Sequence, residues 1–202
     1  VVKKEVDRII DASTTWVYGR TEGAADENSP MPVPGHIYTK TKIGQEHMIF
    51  SWHEHYGVPY TILRYDIPYG PRMRSDMVID IFVRKAMRRE PLTILGDGTQ
   101  GRCFIYVEDL ADGNVAALKE SAKNEIFNLA GNEIVSINQL VDNIRQIFEG
   151  IEVKYESLRS NDFKGVVVNI EKSKRLLGWE PKISFEKGLR KYVEYVRQCT
   201  KF

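Results

Sequence analysis

The 202 residues are enough for one domain or two small ones with a sizeable core, and 42% hydrophobic with 28% charged content is that of an ordinary globular protein. A net charge of +1 gives no basis for nucleic acid, an anionic membrane or an acidic surface as a partner. No apolar run reaches membrane-spanning length, the charged start does not read as a signal peptide, and two distant cysteines, Cys103 and Cys199, suit a reducing cytoplasm better than a disulfide scaffold.

Residues 1–6 read as the end of a helix, and 8–14 as a short strand running into Ser13, Thr14 and Thr15, closed by the turn Val17-Tyr18-Gly19. The segment 19–35 is rich in Gly, Pro, Asp, Glu and Asn and has no periodicity; a structureless stretch of that length is usually functional or disordered. Residues 37–56 form a predicted helix with Ile43, His47, Ile49, Phe50 and Trp52 available for a buried side, and Gly57 stops it. The apolar run 58–64 reads as a buried strand. Strand, helix, strand in that order predicts a crossover unit of a parallel sheet.

The composition shifts near Gly70, which predicts two parts, 1–70 and 71–202. The second part reads as helices over 77–88, 107–119, 137–148 and 185–197 and strands over 92–95, 103–107, 125–130 and 166–170, with 125–130 a candidate to return to the first sheet. Gly96-Asp97-Gly98-Thr99-Gln100-Gly101 matches Gly-x-Gly-x-x-Gly, yet strand-like residues rather than a helix follow it. It is expected to be a hairpin turn, not a phosphate-cradling loop.

Tyr38 and Lys42 stand at the mouth of the helix 37–56, four positions apart and so on one face. An ammonium that close favours the phenolate, which makes Tyr38 a candidate general base for a sugar or alcohol hydroxyl. By itself the spacing is common on solvated helix faces. His36 is a candidate to line the same site. His53 and His55 are two apart and point different ways on a helix, so no metal site is expected.

Several motifs taken in order resemble the extended short-chain dehydrogenase/reductase family, and within it the NAD-dependent nucleotide-sugar epimerases. They are Ala12-Ser13-Thr14-Thr15-Trp16-Val17-Tyr18-Gly19, Tyr38-x-x-x-Lys42, Leu63-Arg64-Tyr65-x-x-Pro68-Tyr69-Gly70-Pro71, the run from Gly96 through Arg102 to Asp109, Arg159-x-x-Asp162 and Leu177-Gly178-Trp179-x-Pro181. The resemblance implies an α/β fold: the C-terminal part of a Rossmann-type parallel sheet with the catalytic residues in 1–70, and mainly a smaller α/β substrate-binding sub-domain in 71–202. The family's Gly-rich turn for the NAD pyrophosphate has no counterpart in these residues. The chain as given is therefore expected to bind NAD weakly and to turn over little.

Carried onto this sequence, the resemblance makes Thr14, Tyr38 and Lys42 the catalytic set. Tyr38, Lys42, Tyr65 and Asp66 would contact NAD, and Thr14, Tyr38, Arg102 and Arg159 would contact the nucleotide sugar. Asp109 is expected to cap or orient the helix that follows it. Family dehydratases carry Asp-Glu, and related decarboxylases a glutamate, after the catalytic threonine. Thr15 and Trp16 stand there instead, which points to simple epimerisation at C4 of the UDP-glucose/UDP-galactose type. A net NAD(P)-dependent oxidoreductase and a non-catalytic nucleotide- or partner-binding module are the competing readings. A homodimer through the helix 38–56 is also implied. Ile67 departs from a usual asparagine, and Cys103 and Asn169 from usual aspartates.

Overall fold

The computed structural model describes residues 6–19, 21, 23–33, 35–157 and 167–199. All of the helix end read at 1–6 except Val6 lies outside them. The chain divides into two units. One takes Val1–Asp66, Glu108–Ala130 and Val166–Pro181, the other Ile67–Val107, Gly131–Gly165 and Lys182–Phe202. The division thus falls between Asp66 and Ile67, a little ahead of the composition shift at Gly70, and the chain crosses back twice.

In the first unit, strands β1 (Ile9–Thr14), β2 (Tyr60–Tyr65) and β6 (Glu125–Leu129) form a parallel sheet in the order β1-β2-β6. Ile62, Leu63, Phe127 and Leu129 are buried within it, as expected of strands with covered faces. Helix α1 (Ile37–Tyr56) connects β1 to β2. His36 caps its start, its Nδ1 accepting from the Tyr38 N–H at 3.2 Å. Gly57 ends it in the left-handed conformation at φ 65°, its N–H donating to the His53 carbonyl at 2.8 Å. Helix α3 (Val107–Ala116) leads toward β6, and its residue Gly113 sits where a Cβ would lie 2.8 Å from Leu129.

The buried side of α1 differs from the one read off its apolar residues. Thr39, Glu46 and Ile49 are buried, whereas His47 and Trp52 are exposed. A single ion pair, described below, turns the helix so that a carboxylate faces the sheet. The segment after Gly19 carries no helix or strand among its described residues but is tied down. Ala25 makes a parallel bridge to Val168, with backbone hydrogen bonds of 2.8 Å to Val167 and 2.7 Å from Asn169. Among the described residues, that bridge is all that stands where a strand over 166–170 was expected. Its partner is one loop residue, and Asn169 then turns the chain by accepting from the Glu171 N–H.

In the second unit, β3 (Ile67–Tyr69) pairs in parallel with β5 (Gly101–Tyr106), and β5 pairs antiparallel with β7 (Ile134–Ser136). β4 (Leu92–Leu95) pairs in parallel with β8 (Val153–Glu156). The glycine-rich turn 96–101 therefore joins two strands that do not pair, and it is not a hairpin. It is bound instead to the start of α4 (Ile137–Ile147), where the Asn138 N–H donates to the Gly98 carbonyl and the Asn138 amide to the Asp97 carbonyl. Ser136 and Gln139 close a capping box on α4. Helices α2 (Val78–Met87), α4 and α5 (Phe185–Cys199) cover the core of this unit. Tyr69, Phe104 and Phe185 pack there with ring centroids 5.3–6.1 Å apart.

Candidate active site

Strand β1 ends in hydroxyl residues because the chain must leave the sheet there. Thr14 is extended, and its Oγ1 accepts from the Trp16 N–H at 3.3 Å, capping the short 3-10 turn Thr15–Tyr18. Thr14 is buried, yet its hydroxyl hydrogen remains available to a ligand. Trp16 then lies edge-on to the Tyr38 ring, centroids 6.2 Å apart, and to the His36 ring at the same separation. Tyr38 stands in the first turn of α1, 43% exposed, and its hydroxyl takes no hydrogen-bond partner among the described residues.

One turn further along α1, the half-buried Lys42 ammonium donates to the Ala12 carbonyl at 2.6 Å and to Gln45 Oε1 at 3.3 Å. Thr14, Tyr38 and Lys42 are thus gathered around the end of β1, with the Trp16 ring beside Tyr38. No direct hydrogen bond joins the three to one another among the described residues. Tyr65 is in register with Thr14 on β2, and its hydroxyl donates to Asn114 Oδ1 at 2.5 Å; burial pushes its pKa up, against the pull of that hydrogen bond. Asp66 follows, buried, its N–H donating to the Leu129 carbonyl at 3.0 Å.

Beneath these residues lies a buried polar network that the motif reading did not identify. Arg64 Nη2 pairs with Glu46 Oε2 at 2.7 Å and Nε bonds Glu46 Oε1 at 3.1 Å. Ser13 on β1 donates to the same carboxylate. Arg64 Nη1 donates to the Tyr18 hydroxyl at 2.9 Å, and that hydroxyl donates to Asn128 Oδ1 at 2.7 Å. Asn128 N–H in turn donates to Glu27 Oε1 at 2.8 Å, which fastens the loop before α1. Burial opposes the Arg64 charge, but the Glu46 hydrogen bonds, reinforced by Tyr18, outweigh it and raise the pKa. The signal was present in the sequence: an arginine inside an apolar strand must be paired. Glu46 stands at i+4 from Lys42 on the helix face that begins with Tyr38.

Arg102 belongs to the second unit, on β5, half-buried, with its Nη1 donating to the Gly101 carbonyl at 2.9 Å. Arg159 and Asp162 lie outside the described residues. His53 and His55 each turn Nδ1 to a backbone carbonyl at 2.9 Å, of Val58 and Ser51. Trp179 Nε1 donates to the Asp109 carbonyl at 3.0 Å, so the Asp109 backbone anchors the returning segment.

The arrangement of a tyrosine hydroxyl, a lysine ammonium and a threonine hydroxyl around a strand end can move a proton at an alcohol carbon and hold vicinal hydroxyls. Comparison with known proteins gives the same direction. Residues 1–130 match the model of the NAD dependent epimerase/dehydratase family. A UDP-glucuronate 4-epimerase of Thermodesulfobacterium geofontis is 35% identical over 195 residues, covering 96% of this chain and 60% of the relative. A Bacillus cereus UDP-glucuronic acid 4-epimerase, solved with UDP-glucuronic acid and NAD, superimposes with a TM-score of 0.90 at 35% identity, over 98% of this chain and 64% of that one. A Thermotoga maritima UDP-glucose 4-epimerase, solved with UDP-glucose, does so with a TM-score of 0.90 at 32% identity, over 98% and 66%. The chain therefore spans less than two thirds of the length of these relatives. With its parallel β1-α1-β2 unit and the match over residues 1–130, the chain belongs to the NAD dependent epimerase/dehydratase family.

Proposed function

We propose that this chain forms the substrate-converting part of an NAD-dependent UDP-sugar 4-epimerase, with Thr14, Tyr38 and Lys42 as its catalytic set. The observation that carries the reading is their gathering at the end of β1, where Trp16 bonds Thr14 and packs on Tyr38 while Lys42 reaches Ala12. The donors fit the groups they would meet. Lys42 has three N–H donors and spends two of them on Ala12 and Gln45, and the Tyr38 and Thr14 hydroxyls can each donate. Lys42 and Tyr38 would hold the nicotinamide ribose, with Tyr65 and Asp66 on the neighbouring strand end also contacting NAD. Bound NAD supplies a reversible hydride acceptor.

The chain's own part is proton handling. Thr14 orients the C4 hydroxyl, and Tyr38 takes its proton as general base while that carbon is oxidised. Tyr38 gives the proton back to the carbonyl oxygen once the keto sugar has turned and the carbon is reduced from its other face. Elimination would need an acid beside Thr14. Thr15 and Trp16 carry none, and the Trp16 ring is packed on Tyr38 and His36.

Arg102 and Arg159 would hold the diphosphate with their guanidinium forks. The first unit would be the remainder of a dinucleotide-binding domain and the second mainly the nucleotide-sugar part. UDP-glucose and UDP-galactose are the proposed pair. UDP-glucuronate is the second reading, favoured by the names of two relatives. The exposed face of α1 supports a homodimer. Two cysteines far apart in the sequence, Cys103 and Cys199, suit a reducing cytoplasm, and no helix among the described residues is long and apolar enough to cross a membrane.

The test is incubation of the catalytically competent protein with NAD and each UDP sugar, following the epimers by proton NMR and reduced nicotinamide by absorbance. Interconversion without net reduced cofactor is expected. Stoichiometric reduction would make the protein an oxidoreductase, and neither conversion nor NAD binding would leave a non-catalytic module.

A further inference from the structure

The hydrogen bonds around Lys42 form a directed chain. Lys42 Nζ donates to Gln45 Oε1 at 3.3 Å, and Gln45 Nε2 donates to Asp11 Oδ1. An ammonium only donates and a carboxylate only accepts, so the Gln45 amide between them has a single workable orientation. Asp11 is anchored on β1 and 5% exposed, and its second oxygen, Oδ2, is buried without a partner among the described residues. Burial raises the Asp11 pKa, against the Gln45 hydrogen bond and the Lys42 charge, which lower it. A buried carboxylate at that position in a strand has a cost, and it is met by an amide and a nearby ammonium rather than by a guanidinium.

We propose that Gln45 and Asp11 are positioning residues for Lys42, together tethering its ammonium at the end of β1 through the amide-to-carboxylate chain. The Ala12 carbonyl fixes the ammonium from one side, and Gln45 from the other. Two of the three N–H groups are then committed, and the third has a set direction. A lysine side chain has four rotatable carbon links, and a two-point tether removes most of that freedom before any ligand arrives. The tether rests on geometry alone. Its meaning for turnover rests on the reading of Lys42 as the lysine that holds the nicotinamide ribose.

The experiment measures acylation of Lys42 by a lysine-directed succinimidyl ester at one fixed, mildly alkaline pH, mapped by peptide mass spectrometry with the exposed Lys40 as internal reference. Gln45 is half-buried on a helix, so Gln45→Ala and the near-isosteric Gln45→Met are compatible with the fold. Both should speed Lys42 acylation relative to Lys40 by roughly two- to tenfold, the ratio expected for one net hydrogen bond. Asp11→Ala should do the same, and the double variant Asp11→Ala/Gln45→Ala should add nothing further, since the two act in series. Should Asp11→Ala not fold, the two Gln45 variants decide the matter alone. Unchanged acylation in both folded Gln45 variants overturns the proposal, as does a wild-type rate in Gln45→Met, which would make the role one of packing. The functional reading is judged separately, by calorimetry of NAD with Lys42→Ala in the catalytically competent protein. Accelerated acylation with NAD affinity unaltered in Lys42→Ala would keep the tether and remove the ribose role.

Discussion

Glu46 and Arg64 form an ion pair of 2.7 Å whose side chains are 0% and 2% exposed, inside the sheet-bearing unit. One comes from α1 and the other from β2, so the pair sets the rotation of the helix that presents Tyr38 and Lys42. Removing one partner leaves a buried charge alone. Arg64→Met should therefore lower unfolding free energy by about 3–5 kcal/mol, read from urea denaturation. The double variant Glu46→Leu/Arg64→Met should recover most of that loss, because an apolar pair of similar volume carries no stranded charge. Equal losses in the single and double variants would mean that packing, not charge, sets the cost.

Tyr18 shares that network, and burial first of all pushes its pKa up from 10.0 to about 12, against the Arg64 charge that pulls it down. A folded-state pKa above the unfolded value means that the folded chain binds the proton more tightly. The corresponding stability is intact below the unfolded value and is lost as pH climbs toward the folded one. Thermal or urea unfolding should accordingly show stability level with pH below 10.0 and falling by about 2 kcal/mol between there and about 12. Tyr18→Phe should make that alkaline slope shallower, while lowering stability at neutral pH by about 1–3 kcal/mol through the unpaired Arg64 and Asn128 groups. An unaltered alkaline slope in Tyr18→Phe would assign the titration elsewhere.

Among the described residues, Tyr38 is the one hydroxyl at the strand end that is both exposed and placed beside Trp16 on the helix that carries Lys42. In the catalytically competent protein, Tyr38→Phe should lower kcat by roughly 10²- to 10⁴-fold, the usual worth of a general base, with UDP-sugar affinity little altered. Isothermal calorimetry alongside the NMR assay separates the two. A matching loss of affinity would make Tyr38 a binding residue instead.

Met48, Trp52 and Tyr56 follow one another at four-residue spacing along α1 and are 64%, 39% and 52% exposed, with the Trp52 and Tyr56 rings 5.1 Å apart. An apolar and aromatic stripe of this kind on a helix is the composition of an interface core. Trp52→Glu should weaken self-association by about 2 kcal/mol or more, as expected for a central aromatic anchor. Sedimentation equilibrium reads this directly, and a wild-type chain that is monomeric at high micromolar concentration would remove α1 as the interface.

Local signals sufficed for what local chemistry controls. The helix at Ile37–Tyr56 follows from its own residues, since Gly57 offers the left-handed stop and the run between holds no proline. The buried strand β2 follows from an apolar, partly β-branched run, and its parallel pairing with β1 from the helix that separates them. Thr14, Tyr38 and Lys42 were legible because their order and spacing form a motif. Pairing across long sequence separation was not legible. The strands β3, β7 and β8 have three or four residues each and gain their identity from partners far along the chain, so no periodicity announces them. The turn 96–101 has the composition of a hairpin, but β4 and β5 find other partners because β8 and β7 offer better-placed edges. The sequence alone determined which residues could exchange a proton and which segments could be helix or strand. Only the tertiary structure decided that Glu46, and not Trp52, faces the sheet, because a buried arginine on another element needs a carboxylate more than the core needs one further ring.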